Sequence, residues 1–556
     1  MFRVANAKEA IGSARYYGWY AANADGQYMR RLAEPACLCQ HKPAGAELLT
    51  DFEYLGRAPG GDDEIIIAAW ERGYTRSSVY RLNARTGVKK LISLNSPPNP
   101  IRWVTDGAGV LRVAYGYDNG VVTVWYRDDD KSPWTKLASG DDVSLDFHVI
   151  GFDYDNKTLY VSAHNGKDKA GIYIFDTEKR AFKEAFLEHP LIDLRSLQFS
   201  SNGHKLLGAR FEADRPVAVW IDADMDRLQK TVDKALPDTF NRLSVAEDNP
   251  KRALVLAYSD RDPGRFYLLD TEKLALEELG ASRPWIKPEQ MSQRRFVRYL
   301  ARDGTEIPAW LTLPNGTSGK NLPLLIDIHG GPWVHGFRWG FDSEAQFFAS
   351  RGYAVLQPEF RGSTGYGRWL YRSSFKQWGL AMQDDIADGA KWLIKEGIVN
   401  KDRICLYGGS YGGYATLWGL VKDPDFYKCG VAFVAVTDIG LVYDIAWSDT
   451  AQSSYKWLEY GARITIGDPD KDREKLMAVS PLYNVAKLKA PILLAYGAAD
   501  ERVPLKHGTE FREALDKNGK KYEWVVYDDE GHGFNKDDNR FDFYRRVDTF
   551  LKKYLQ

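Results

Sequence analysis

The sequence predicts two architectures in one chain. The N-terminal half reads as all-β, built from repeated small sheets. The C-terminal half reads as a mostly parallel sheet with helices on both faces. Three observations predict this. Strand-like runs recur with a period in the forties up to about residue 285; from residue 322 onward buried apolar runs alternate with amphipathic helical segments; and 556 residues exceed what one hydrophobic core organises.

The repeats are SVYRLNARTGVKKLI (78–92), VTVWYRDDDKSPWTKLA (122–138), GIYIFDTEKRAFKEAF (171–186), VAVWIDADMDRLQKTV (217–232) and RFYLLDTEKLALEELG (265–280). Each passes from a strand through a polar turn into another strand-like run. The matching turn positions, Asn83, Arg127, Asp176, Asp222 and Asp270, are separated by 44, 49, 46 and 48 residues. A fixed period of this size with several short strands per repeat is the signature of a β-propeller. WYAANADGQYMRRLA (19–33) reads as an earlier copy, so residues 1–285 are expected to form a propeller of six or seven blades. The span is short for seven full blades.

ASRPWIKPEQMSQ (281–293) is polar, carries two prolines and reads as a linker into a catalytic domain over 286–556. RRFVRYLARDGTEIPAWLTLP (294–314) follows as a hairpin with Asp303-Gly304 at its turn. Apolar strands are expected at 322–330, 353–360, 404–408, 429–436, 491–497 and 522–528, with helices at 381–396, 411–421, 505–517 and about 540–555. Continuous apolar strands interleaved with helices mean a parallel sheet covered on both sides, the α/β-hydrolase arrangement.

The sharpest chemical signal is Gly408-Gly409-Ser410-Tyr411-Gly412-Gly413, between the strand ICLY and the helix YATLWGLV. A G-x-S-x-G string is weak alone. In a strand-to-helix turn it is strong, because the turn is too tight for side chains two residues either side of the serine. It lifts the hydroxyl to a helix N-terminus, where N–H groups favour negative charge. A serine hydroxyl needs a base. His532, in DDEGHGF after the strand YEWVVYD, falls on a loop at the C-terminal edge of the sheet. His507, in the helix start PLKHGTEF, is expected at the surface. Asp500, in PILLAYGAADERVP, follows the preceding strand and would orient the imidazole. The order Ser410, Asp500, His532 is that of this hydrolase class. Asp528 and Asp529 compete but directly precede the histidine loop.

His329-Gly330-Gly331-Pro332-Trp333 follows the strand LPLLIDI and has the composition of an oxyanion loop. Gly330 or Gly331, with the N–H of Tyr411, would bind the oxyanion; the sequence leaves open which glycine donates. PEFRGSTGYGRWL (358–370) is rich in glycine but lacks the G-K-[ST] ending of a phosphate loop, and reads as a structural loop near the cleft.

Composition sets the limits. A net charge of -1 argues against nucleic acid or anionic lipid as partners. Cys37, Cys39, Cys405 and Cys429 form no CxxC pair and no zinc spacing, and are expected as reduced structural thiols. No metal cluster or dinucleotide fingerprint appears, so no cofactor is implied. The start lacks an apolar run of signal-peptide length, and no stretch of eighteen apolar residues occurs. The expectation is a soluble cytoplasmic protein, or a periplasmic or secreted one if a leader lies upstream.

Together HGGPW (329–333), RGSTGYG (361–367), GGSYGGY (408–414), AADERVP (498–504) and EGHGF (530–534) make the chain similar to the prolyl oligopeptidase family of serine peptidases, specifically over 294–556 and loosely over the propeller. The HGGP form resembles the acylaminoacyl-peptidase branch. The resemblance implies a serine peptidase on short peptides, with the propeller limiting entry of larger ones. It also implies a polar substrate contact at Arg502, and places Trp333 beside the cleft as a second contact. Dipeptidyl peptidases anchor the substrate amine on a glutamate pair; Glu277-Glu278 is the suggestive pair here, but lies in a strand-like run. A carboxylesterase on small acyl esters is the alternative, since the same triad serves both. A propeller interaction scaffold with a vestigial hydrolase is a third reading, disfavoured by the intact triad and HGG loop. A homo-oligomer is compatible with all three.

Overall fold

Short strands punctuated by Asp and Asn turns make the N-terminal half a β-propeller; longer apolar strands separated by helices make the C-terminal half an α/β-hydrolase sheet. The computed structural model describes residues 2–5, 17–23, 25, 27–33, 52–59, 61, 63–70, 76–141, 143–200, 205–245, 249–444 and 457–555. Packing divides the chain into two compact units, Met1–Leu206 with Ala446–Ile464, and Leu207–Ile445 with Thr465–Gln556.

Among the described residues six antiparallel sheets follow one another along the propeller sequence, four of four strands and two of three. The sixth, from Phe240–Val245 to Ala275–Ala281, belongs to the second unit, as does most of the fifth. The repeated turns share one mechanism. Asp176 Oδ1 accepts from the N–H of Glu178 and Lys179, at 3.1 and 2.9 Å. Asp270 does the same for Glu272 and Lys273, and Asn83 for Arg85 and Thr86.

Two repeats depart from expectation. Arg127 is not a turn residue: it is buried, donates from Nε to Leu111 O at 2.7 Å and lies over Trp134. The turn sits two residues on, at Asp129, which accepts from Lys131 and Ser132 N–H. Asp222 opens no strand pair. It caps α1, Ala223–Ala235, accepting from Met225 N–H at 2.9 Å. The following residues ADMDRLQKTV are helix formers, so the same side-chain acceptor nucleates a helix instead.

The catalytic sheet has eight strands: β1 (Arg294–Leu300), β2 (Glu306–Thr312), β3 (Leu322–Ile328), β4 (Ala354–Pro358), β5 (Val399–Gly409), β6 (Cys429–Phe433), β7 (Ile492–Gly497) and β8 (Tyr522–Tyr527). Their order is β1-β2-β4-β3-β5-β6-β7-β8. β2 runs antiparallel to β1 and β4; β3 to β8 are parallel. β3 and β7 are buried at every residue, as strands covered on both faces must be. The covering helices are α2 (Ser343–Ala349), α3 (Ala381–Lys395), α4 (Tyr411–Lys422), α5 (Lys506–Lys517) and α6 (Asp537–Leu555).

Cys405 on β5 and Cys429 on β6 are register partners with Cα atoms 4.8 Å apart, and are joined as a disulfide. This corrects the expectation of reduced thiols for these two; Cys37 and Cys39 lie outside the described residues. Among the described residues no helix is long and apolar enough to cross a membrane.

Within the second unit the last propeller sheet is bolted to the catalytic sheet by buried polar groups. The Arg294 N–H donates to Asp260 Oδ2 at 2.8 Å. Its guanidinium reaches Gln357 Oε1 (2.6 Å), Arg338 O (2.7 Å) and Gly340 O (3.0 Å). Gln346 on α2 donates to Asp260 O and Ser292 O and accepts from Ser292 N–H. Removing a buried cation from such a set strands its partners. Arg294→Ala is expected to cost on the order of 3 kcal/mol in urea unfolding; a loss below about 1 kcal/mol, the scale of a surface pair, would show that these contacts are not carrying the junction.

Candidate active site

The β5–α4 turn is built as its glycines require. Ser410 sits at φ 60°, ψ −121°, a backbone conformation that side-chain-bearing residues avoid. A Cβ on Gly408 would stand 2.6 Å from Gly412 C and 2.8 Å from Ile328 O, and a Cβ on Gly412 would overlap Ile328 O. Ser410 N–H donates to Phe433 O at 3.1 Å, tying the turn to β6. The Ser410 side chain does not cap α4 and is partly exposed, so the hydroxyl stands free of the helix beside its first N–H groups.

Asp500 follows β7 and its carboxylate is fully buried. Oδ1 accepts from the N–H groups of Arg502 and Val503, both at 2.9 Å, and Oδ2 accepts from His532 Nδ1 at 2.8 Å. That bond makes Nδ1 the protonated nitrogen and leaves Nε2 as an acceptor. The two loops are close because Gly497 has no side chain: a Cβ there would overlap the Glu530 and Gly531 carbonyls. Glu530 holds the far side of the histidine loop, accepting from Asn535 and Lys536 N–H. Among the described residues no hydrogen bond joins His532 to Ser410 Oγ; catalytic contacts of this kind tighten when substrate binds.

The HGG loop lies against the serine. A methyl group at Gly330 would stand 3.4 Å from Ser410 Cβ and 3.9 Å from Oγ. His329 is buried and anchors the loop. Its Nδ1 donates to Gly330 O at 2.7 Å, its Nε2 meets Ser363 Oγ at 2.9 Å, and its ring stacks on Phe360 at 4.4 Å. Burial drives its pKa down to about 4, so the ring is neutral at pH 7. With Gly330 O held by His329, the Gly331 N–H lies on the opposite edge of the same peptide plane. The anchoring role of His329 is not legible from its motif alone.

The remaining expected residues fall as follows. Tyr411 buries its ring among Phe360, Trp378 and Tyr414 and begins α4. Trp333 donates from Nε1 to Ser374 Oγ at 2.9 Å. Arg502 is partly exposed on the Asp500 loop. Glu278 pairs with Arg265 at 3.1 Å in the strand Ala275–Ala281. The 358–370 loop is fixed by Arg361, which donates to Asp385 from N (3.0 Å), Nε (2.7 Å) and Nη2 (2.6 Å). His507 is not at the surface: it is 1% exposed, accepts from Thr437 N–H at 3.3 Å, and burial drives its pKa down to about 3. The spacing His507, Phe511, Leu515 marks the buried face of α5 and is the signal that places it inside.

A propeller followed by this sheet and turn defines the class, an α/β-hydrolase-type enzyme with an N-terminal propeller. Residues 339–556 match the prolyl oligopeptidase family, which makes this part of the chain a domain of that family of serine peptidases. It is 26% identical to dipeptidyl aminopeptidase BIII of Pseudoxanthomonas mexicana, over 91% of this chain and 74% of that protein. It is 28% identical to dipeptidyl peptidase family member 6 of Caenorhabditis elegans, over 77% of this chain and 60% of the relative. Among solved structures, a puromycin-hydrolyzing peptidase of Mycobacterium tuberculosis superposes with a TM-score of 0.71 at 19% identity, covering 100% of this chain and 86% of that one, a likeness of fold.

The turn geometry is itself testable. Gly412→Ala places a methyl against Ile328 O, and is expected to lose about 1–3 kcal/mol of stability. An unchanged unfolding midpoint would show that the turn has room to relax.

Proposed function

We propose that the chain is a serine peptidase of short peptides, working through an acyl-enzyme on Ser410. The observation that carries this reading is the strained Ser410 turn beside Gly330, on a sheet edge that also bears the Asp500–His532 pair. Ser410 Oγ attacks the substrate carbonyl while His532 Nε2 takes its proton. The oxyanion accepts from Tyr411 N–H and from the HGG loop, with Gly331 N–H favoured over Gly330 by the orientation of their shared peptide. The C–N bond breaks, His532 returns the proton to the leaving amine, and water then releases the acyl group by the same route. Asp500 holds the imidazole tautomer throughout. Arg502 and Trp333 are the proposed substrate contacts, and residues 286–556 the proposed catalytic domain behind a propeller over 1–285.

Ser410→Ala is expected to abolish fluorophosphonate labelling and turnover without lowering the unfolding midpoint. Asp500→Asn is expected to reduce kcat by about 10⁴. Labelling that persists in Ser410→Ala would overturn the assignment.

Substrate class separates by comparison. N-acetylaminoacyl anilides suit an acylaminoacyl-peptidase, and free dipeptidyl anilides the activity in the names of the two relatives above. Hydrolysis of p-nitrophenyl esters with no anilide turnover would favour the carboxylesterase reading. A homo-oligomer is tested by light scattering. For location, the Cys405–Cys429 bond weighs toward an oxidising compartment over the cytoplasm. Alkylation at the moment of lysis decides it: a linked pair supports the periplasmic or secreted alternative, and two alkylated thiols support the cytoplasm.

A further inference from the structure

We propose that Glu359 is a positioning residue for the oxyanion-binding loop, holding it through Gly336, Phe337 and a Ser363–His329 contact; this deepens the acyl-transfer reading and rests on it. Glu359 follows β4 and is fully buried. Its Oε2 accepts from Gly336 N–H at 3.0 Å and its Oε1 from Phe337 N–H at 2.6 Å. Both residues bear on His329. A Cβ on Gly336 would overlap the imidazole, and the Phe337 ring meets it edge-on at 5.6 Å. Ser363, also fully buried, lies between the two, and its one hydroxyl proton faces two acceptors, the Glu359 carboxylate and His329 Nε2 at 2.9 Å. Glu359 Oε2 is itself 3.9 Å from that nitrogen. His329 in turn holds Gly330 O, and so sets the direction of Gly331 N–H. One carboxylate therefore fixes the segment on which the loop's anchor leans.

The choice of an acid is what makes this testable. Only an ionised carboxylate accepts from both N–H groups at full strength. Burial opposes ionisation and pushes Glu359 up to about 7, with the two backbone bonds, Ser363 and Arg338 pulling the other way. The other titratable groups around it are His329 and His335, each driven down to about 4 by burial, and Tyr366, raised by burial and by the Glu359 charge. Beyond them lie Arg338, on the segment that carries Phe337, and Glu212, at the end of the strand Leu206–Glu212, 3.7 Å apart. As pH falls through about 7, Glu359 takes up a proton, one acceptor becomes a donor facing an N–H, and the loop loosens. Stability runs the opposite way. A raised carboxyl contributes most below the usual glutamate range, and that contribution is lost as pH rises to about 7. At pH 8 a neutral glutamine carries no such penalty, so Glu359→Gln is assayed there for folding.

The experiment measures kcat, KM and their pH dependence on one anilide substrate for wild type, Glu359→Gln, Glu359→Asp and Ser363→Ala. Glu359→Gln is expected to lose about 10–100-fold in kcat, below the 10²–10³ of a direct oxyanion donor, with KM within threefold. Its acid limb should become a one-proton limb where the wild type shows two. Glu359→Asp should recover part of kcat and the second proton. Wild-type kcat and an unchanged two-proton limb in folded Glu359→Gln would overturn the proposal, whatever its unfolding midpoint. If that variant does not fold, Ser363→Ala decides: a kcat loss of threefold or more at constant KM supports the proposal, and wild-type kinetics overturn it. Failure of the underlying reading looks different, as a wild type whose turnover survives Ser410→Ala.

Discussion

The site depends first on the backbone of one residue. Ser410 is held at φ 60°, a conformation that costs of order 1–3 kcal/mol for a residue with a side chain. It persists because Gly408 and Gly412 close on each other and on Ile328 O with no room for anything larger, and because Ser410 N–H is tied to Phe433 O. Three adjacent strands, β3, β5 and β6, thus over-determine the turn. Once it is fixed, the rest follows from topology. Parallel strands end at one edge, so the loops after β3, β5, β7 and β8 share a rim, and the residues they carry differ only in which loop bears them.

What fixes those loops is buried charge rather than apolar packing. Asp500 accepts three bonds, two from its own loop and one from His532. Glu530 gathers the N–H groups past the histidine, Arg361 is clamped by Asp385 and Asp303, and Glu359 holds Gly336 and Phe337. Burying an ion is costly, and well-packed apolar groups often stabilise as much. Stability does not account for four such groups along one rim. Directional bonds to backbone do: a loop without regular structure has no ladder to fix it, and a carboxylate receiving two successive N–H groups fixes both position and orientation.

Much of this was legible in the chain. The strands and helices of the catalytic half fall within a few residues of their periodic runs, because a buried parallel strand must be apolar throughout. Motif and context together located Ser410, Asp500, His532 and the HGG loop on one edge. The misses have physical causes. Arg127 took the period's turn position although Asp129, two residues on, is the side chain able to accept from the backbone. Asp222 matched the repeat because an Asx turn and a helix N-cap use the same acceptor; only the helix formers after it distinguish them. His507 sits at a helix start, where surface exposure is the usual expectation, and only its spacing from Phe511 and Leu515 marks it as buried. The Cys405–Cys429 pair depends on which strands are neighbours, which no local pattern states. Glu359 is invisible for a related reason: its partners are backbone groups some 22 residues away, and backbone has no sequence signature.

The boundary of the catalytic scaffold is also a matter of buried polar groups. Strand pattern changes near residue 285, yet the compact unit containing the site begins at Leu207. The reason lies in Asp260 and Arg294. Asp260, in the turn after the strand Arg252–Tyr258 of the last propeller sheet, receives the Arg294 N–H; the Arg294 guanidinium holds Arg338 O and Gly340 O; and those residues continue the segment whose start, Gly336 and Phe337, is held by Glu359. The last sheet and the segment that follows the HGG loop are therefore joined by a continuous run of hydrogen bonds and backbone. Spatial contiguity of this kind is a constraint on position, and becomes energetic coupling only where an element has two arrangements. On this path Glu359, pushed up to about 7 by burial, is a group whose protonation would supply a second arrangement, and it would do so at the HGG loop.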